Sequence, residues 1–542
     1  MHVLPCVNLH AVTDAPSFAT SSEENLNRKF LQRTGWWLFV LSVWPLFLTP
    51  VPPFQDLPNH FASVTVLTHP DLYPEFSSSG FLKTNSALFL WLFVVGKSLG
   101  LPIAAKLFAA LTIAISAYGY PKTLLHFAGR SRASVGGLLL FPMCHNWFLS
   151  MGMLDYALAV PVSLLLLVAV DRIVTEWSWK RATVIIVTSF VTWYAHVFAL
   201  LIVGWLVLVE FLRSNGERRA AMVRRAFVPL LPGGILALHA CVSHMIEQRA
   251  GLDSGLRFNG FLPTWELAYH LWAEWACGLT LLSSSGVVLY LAAVWAVKRW
   301  RQAVPFFSPW ALSTMVVFYA LLPYMVTNWF HMNSRFIPFL WMACLVRAPD
   351  SLPVWWRRAM VGCAVTFSLG LGIDYVRLER ERREFLGVLD SIPKRARLLP
   401  LVFYPKGESD HTRPLLHAWG YYVSEKFTTA PMLFAHSRSF PVVYVRAPLP
   451  QLNHLALEAM EYNMRSADEW CVQLRYKGLI SGCAEVFADA WHSVWRALEP
   501  EFDYLLLWDV REDVRRLIPK SYDCSLRRQR ATLCVRRKVP MP

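Results

Sequence analysis

Asp56, Asn59 and His60 follow one another closely in "FQDLPNHFA", directly behind the apolar run Trp36 to Leu48 and a proline-rich break at Pro50, Pro52 and Pro53. An acid, an amide and an imidazole are the residue types of proton-transfer chemistry. Three further segments carry the same kinds of side chain. The same outer stretch continues with Asp71, Glu75, Lys83 and Asn85; "CHNWFLSMGMLDYA" holds His145, Asn146 and Asp155. "WYAHVF" holds Tyr194 and His196, and "VTNWFHMNSRFIP" holds Asn328, His331, Asn333 and Arg335. Polar groups near hydrocarbon are costly and are usually kept because they meet a substrate or one another. Each also has a plainer role. Asp56, with Pro58 two residues on, has the makings of a helix cap, as does Asp155. His196 could satisfy a carbonyl in a tight turn, and Arg335 could snorkel to an interface.

What would gather these residues is topology. The chain has 542 residues, 55% hydrophobic and only 16% charged, with 24 Trp. That is the profile of a polytopic α-helical membrane protein, with Trp at the interfaces. The net charge of +15 lies in short Lys/Arg clusters between apolar runs, so it does not form a nucleic-acid stripe. Arg28, Lys29 and Arg33 precede the first apolar run, and no small-residue cleavage site lies behind it, so this run reads as a first transmembrane helix and not a signal peptide.

A crossing helix needs about 20 mostly apolar residues. The expected spans are 34–51, 103–127, 133–150, 155–173, 182–196, 197–213, 226–246, 280–298, 308–327, 335–349 and 359–376. With about 11 spans, the basic clusters fall on one side, as cytoplasmic loops should. The segments 52–102, 150–155, 247–279 and 328–334, together with the turn at His196, then fall on the other. This requires Ser86–Gly100 to lie in the outer interface or dip partway in, because a full crossing would invert every later loop. All four polar segments then share the outer face. A transporter would place its charges near the midplane, between matched repeats. Here the charges stand at span ends, and no repeat is seen.

The expected organisation is a cytoplasmic segment 1–33, a transmembrane domain 34–376 with its first outer loop at 52–102, and a small α/β domain 377–542 outside. In the tail, "RARLLPLVFYP", "FPVVYVRAP" and "EFDYLLLWDV" read as strands, and His454 to Trp470 as a helix. Cys524 and Cys534 flank a hairpin-like "SLRRQRATL" and make a candidate disulfide, with Cys471 and Cys483 as the remaining pair; four free thiols are the alternative.

Taken together, the membrane half resembles the GT-C superfamily of integral-membrane glycosyltransferases, which includes lipid A aminoarabinose transferases and protein O-mannosyltransferases. The likeness rests on the acid behind the first span in "FQDLPNHFA", the long first outer loop, Asp155 at the start of the fourth span, and the terminal soluble domain. "DLPNHFA" and "NWFLSMGMLDYALAVP" are similar to motifs of a bacterial branch. Many members have two acids together in the first loop, but here Asp56 stands alone. Any divalent cation would then have only Asp56, Asp155 and water as oxygen ligands.

The resemblance implies an inner-membrane enzyme that moves a sugar from a polyprenyl-phosphate carrier to a glycan, lipid or protein acceptor. Asp56 would be the base, with His60 or Asn59 orienting it or the acceptor. Arg335 would hold the phosphate bidentately, with Lys83 and His331 as second choices. Asp155 and His196 would shape the sugar pocket. The rival expectations are a non-catalytic membrane scaffold with a partner-binding outer domain, and a lipid or polysaccharide flippase.

Overall fold

The computed structural model describes residues 21–249, 259–260, 264–271, 288–326, 331–409, 411–435, 437–446, 448, 457, 495–516 and 518–537. The first apolar run belongs to α1 (Ser21–Val43). After a 3-10 turn and the prolines comes α2 (Leu57–Thr68), then α3 (Ala87–Leu99) and α4 (Leu101–Gly136). Two short helices come next, α5 (Phe141–Cys144) and α6 (Trp147–Met151), leading to α7 (Leu154–Thr175), α8 (Trp179–Ala195) and α9 (Val197–Arg213). Beyond them are α10 (Gly216–Ala221), α11 (Val228–Arg249), α12 (Thr264–Leu271), α13 (Tyr290–Lys298), α14 (Pro309–Leu321) and α15 (Ile337–Leu345). The long α16 (Val354–Phe385) and the short α17 (Gly420–Lys426) complete the set that matters here.

Among the described residues, four helical stretches are long and apolar enough to cross a membrane: Leu101–Leu139, Leu154–Thr175, Gly216–Glu247 and Val354–Ser391. The expected span 133–150 does not form one helix. Gly129 takes φ +75, α4 ends at Gly136, and Pro142, His145 and Gly152 divide the chain beyond it into short buried pieces. Ser86–Gly100 yields a helix of 13 residues, about 20 Å at 1.5 Å per residue, against a hydrocarbon core of about 30 Å. Gly100 at φ +83 turns the chain from α3 straight into α4.

At the centre is α7, apolar on all sides and almost wholly buried between α4, α8 and α9. That all-round burial is what a helix without a polar face requires. By contrast α8 and α9 show one buried and one exposed apolar side, as Val184, Val187 and Val191 illustrate.

The tail holds a four-stranded sheet. With β1 (Phe76–Ser78) in the first loop, and the short β2 (Asn259–Gly260) and β3 (Met325–Val326) pairing with each other, the tail strands are β4 (Leu398–Val402), β5 (Val442–Tyr444), β6 (Tyr504–Trp508), β7 (Tyr522–Arg528) and β8 (Ala531–Arg536). The sheet order is β4-β6-β8-β7, with β4 and β6 parallel and the rest antiparallel. Cys524 and Cys534 are disulfide-bonded across the β7–β8 hairpin. Cys471, Cys483 and the segment His454 to Trp470 lie outside the described residues.

One strand-like run does something the sequence did not suggest. The β5 strand leaves the main sheet and pairs antiparallel with β1, setting Phe76 opposite Tyr444 and Ser78 opposite Val442. Ala62, Val66, Tyr73 and Phe76 of the first loop share a hydrophobic core with Leu401, Trp419, Met432 and Leu507 of the tail. The loop and the tail are therefore packed as one layer, and α2 is its floor.

Candidate functional site

Asp56 occupies the cap position of α2, and Pro58 fills the first turn, as the plain reading of the sequence requires. Its carboxylate, however, makes no capping bond. The backbone instead fixes it against α6 and the turn behind: the Gln55 N–H donates to the Ser150 carbonyl at 3.1 Å, and the Asp56 N–H to that of Met151 at 3.0 Å. Gly152 makes this approach feasible. It sits at φ +84, and a Cβ there would lie 2.8 Å from the Asp56 nitrogen. The motifs "FQD" and "SMG" are thus two strips of backbone held together.

The Asp56 side chain faces the tail. The Nε2 of His417 stands 3.4 Å from its Oδ1, and the Gln55 amide nitrogen donates to the same oxygen at 3.4 Å. Gln55 is itself fixed, since its Oε1 accepts from the Arg413 N–H at 2.8 Å. His417 is buried, while the Asp56 side chain keeps 18% of its surface open to solvent. A carboxylate held from several directions yet still reachable is placed to accept a proton from outside.

One turn along α2, His60 is buried with its ring edge-on to Phe89 at 4.8 Å. Burial pushes its titration down to about 4, against the opposing pull of Asp56 and of a hydrogen bond to the Gly152 carbonyl. Its Nδ1 is buried without a hydrogen-bond partner. His60 is therefore neutral at pH 7.

Asn59 and Lys83 serve docking. The Asn59 amide donates to the Met432 carbonyl at 3.2 Å and accepts from the Phe434 N–H at 3.4 Å. Lys83 Nζ donates to Ser79 Oγ at 2.7 Å and to the Arg438 carbonyl at 2.6 Å. Burial lowers its amine to about 8, with Glu247 opposing.

Of Asp155, His196, His331 and Arg335, His196 and Arg335 share a partner, the Tyr156 ring. Asp155 is buried and its Oδ1 accepts from the Leu88 N–H at 2.8 Å, so it caps α3, an element remote in sequence. His196 caps α9, its Nδ1 accepting from the Phe198 N–H at 3.2 Å. Arg335 does not snorkel: it is 3% exposed. Its guanidinium lies 5.8 Å from the Tyr156 ring centre and 5.4 Å from that of Phe198, and the Tyr156 hydroxyl donates to its backbone carbonyl. The His196 ring meets Tyr156 edge-on at 5.2 Å, which joins His196 and Arg335 around one aromatic. His331, at φ +59, lies between Trp147 and Tyr324, with Tyr324 Oη 3.1 Å from its Nε2. Asn328 lies outside the described residues.

Asp155 and Tyr156 both adjoin the surroundings of Asp56. Phe89, against His60, is the neighbour of Leu88, whose N–H reaches Asp155. Phe148 of α6 meets Tyr156 edge-on at 4.8 Å.

No family model matches the chain, and no curated protein does. Solved structures do resemble it, two of them as follows. Both are ArnT from Cupriavidus metallidurans. The one bound to undecaprenyl phosphate has a TM-score of 0.46 at 10% identity, and the apo form 0.49 at 12%. Each comparison covers 95% of this chain and 98% of the other. Identity this low transfers no residue roles, so the functional reading rests on the geometry around Asp56.

Among the described residues, no three His, Cys, Asp or Glu side chains are grouped to hold a metal ion. Asp155 in particular is turned to backbone N–H donors, which is the wrong surrounding for a cation. Asp56 and Asp155 do not fit the oxygen-rich site a divalent ion prefers.

The sequence reading missed His417, Gln55 and Gly152. Gly152 was legible within its motif; the other two depend on contacts between the first loop and a tail that carries no recognisable pattern.

Proposed function

We propose that this chain is a membrane glycosyltransferase that passes a sugar from a polyprenyl-phosphate donor to a hydroxyl acceptor on the outer face of a bacterial inner membrane. The acceptor is a glycan, lipid or protein. The observation that carries the reading is Asp56, a partly open carboxylate at a helix start, freed from capping and flanked by the imidazole of His417.

In this reaction the acceptor oxygen bonds to the anomeric carbon as its proton passes to Asp56. The bond from that carbon to the phosphate oxygen breaks, and the phosphate leaves with the electron pair. His417 and Gln55 hold the carboxylate in position and stabilise its charge. His60, neutral and buried beneath, fixes the Gly152 turn on which Asp56 rests. Arg335 is the cation for the departing phosphate, its planar fork suited to two oxygens. Lys83 and His331 remain secondary choices, each occupied with local contacts. Asp155 and His196 shape the sugar pocket by anchoring the ends of α3 and α9. The Cys524–Cys534 disulfide supports an extracytoplasmic tail, since such bonds persist in oxidising compartments.

The test is replacement of Asp56 by Asn in the full-length protein. An enzyme should insert and fold normally, lose transfer, and leave its lipid-linked donor to accumulate in cells. If donor levels and the glycan profile match those of the wild type, Asp56 is not a base and the scaffold reading takes over.

A further inference from the structure

At the end of the bundle away from Asp56, a groove of about 590 Å³ opens between α1, α4 and α7. Its depth in the fold is set by α7. Asp155 stands in the first turn of that helix and Arg172 in its last, 17 residues on, about 26 Å at 1.5 Å per residue. The groove and the Asp56 site therefore stand about one membrane thickness apart.

The groove has two kinds of wall. Arg28 from α1, Lys122 from α4 and Arg172 from α7 supply positive charge, and Glu24 offsets part of it. Leu31, Leu125 and Tyr118 supply an apolar side. Lys122 is held in place, its Nζ 3.0 Å from the Tyr118 hydroxyl and 5.0 Å from that ring's centre. Asn27, also on the wall, has a buried Oδ1 without a hydrogen-bond partner. His126, also on the wall, is tied to Asp171, which Arg218 holds as well.

From the groove an exposed apolar track runs along α4. Ile103, Leu107 and Leu111, four residues apart, continue to Tyr118, all between 39% and 52% exposed. Spacings of four and seven keep side chains on one helix face.

We propose that this groove binds the headgroup of an anionic phospholipid, with Arg28, Lys122 and Arg172 around the phosphate and the acyl chains along the α4 track. A free anion would use the charges and have no need of the track. A zwitterionic lipid would use the track and gain little from the charges. Only a lipid with net negative charge uses both. The ligand stabilises the packing of α1 against α4 and α7 from the side opposite the Asp56 site.

The experiment uses the delipidated full-length protein in detergent, titrated with phosphatidylglycerol and, separately, phosphatidylcholine, with bound lipid counted by native mass spectrometry. The wild type should take up phosphatidylglycerol in preference. Arg28→Gln with Arg172→Gln should weaken the first binding event about thirtyfold, at roughly fivefold for each basic side chain near a membrane surface. Lys122→Gln alone should weaken it about fivefold. Arg358→Gln, an exposed basic residue at the start of α16, should leave it unchanged. Uptake that is equal for the two lipids, or unaltered in both groove variants, overturns the proposal. Displacement of the lipid by millimolar inorganic phosphate overturns it too, and assigns the groove to a free anion.

Discussion

His417 Nε2 lies 3.4 Å from Asp56 Oδ1, so an imidazole from the tail meets a carboxylate at the start of α2, far back along the chain. The contact makes the tail part of the site. Truncating it would strip Asp56 of a flanking group and expose a helix, α2, that is buried along most of its length.

Replacing Asp56 with Asn should therefore lower transfer by about 10² to 10⁴, the usual contribution of a positioned general base. Asp56→Glu should recover part of it only if the longer side chain still reaches the acceptor. Single-turnover transfer from a purified polyprenyl-phosphate donor measures both.

His417→Gln should reduce the rate less than Asp56→Asn, because Gln can still donate to the carboxylate, whereas His417→Ala should reduce it more. The informative readout is rescue by the conservative variant. Transfer kept by His417→Gln but lost in His417→Ala shows that a donor is needed beside Asp56, and equal loss in both would make His417 merely a packing residue.

Acid stability depends on His60. Its folded-state titration lies at about 4, against an ordinary value of 6.5 in the unfolded chain. The unfolded chain takes up the proton first as pH falls, so this contribution is complete above about pH 6.5 and is lost between 6.5 and 4. The full loss is about 3 kcal/mol at most. Melting temperatures at pH 7 and 4.5 should differ less for His60→Gln than for the wild type.

Gly420→Ala tests the seat of the tail on α2. A Cβ at Gly420 would collide with the Pro58 carbonyl oxygen, a backbone atom that cannot rotate away. The strain should cost about 1–3 kcal/mol, loosen the tail and quicken its proteolysis while membrane insertion is retained. Asn59→Ala should act in the same direction by releasing Met432 and Phe434.

Cys524 and Cys534 should resist alkylation until reduced, and replacing both with Ser should lower tail stability by about 2–4 kcal/mol. Mass spectrometry of the tail peptides checks the first point and thermal unfolding the second.

Local patterns carried the sequence a long way. The apolar runs, the glycine and proline breaks, the strands at Leu398–Val402 and Tyr504–Trp508, and the cysteine-flanked hairpin all arise from spacing and turn chemistry over a few residues. Spacing also singled out Asp56 and placed it at a helix start. Local rules then erred where the chain stacks several breakers in succession, as in 133–150, because apolar content alone does not make a continuous helix.

Only the tertiary structure decided what each polar group faces. Asp56 at a cap position could have bonded its own helix, but the approach of His417 and Gln55 turns it outward. Asp155, equally plausible as a cap of its own helix, caps α3 instead. The run around Val442–Tyr444 reads only as a strand of the tail, and its pairing partner is the first loop. A capping bond or a turn is set by neighbours in sequence, whereas these contacts join segments far apart along the chain. Their partners are chosen by the packing of the whole chain, and no short stretch of residues encodes that choice.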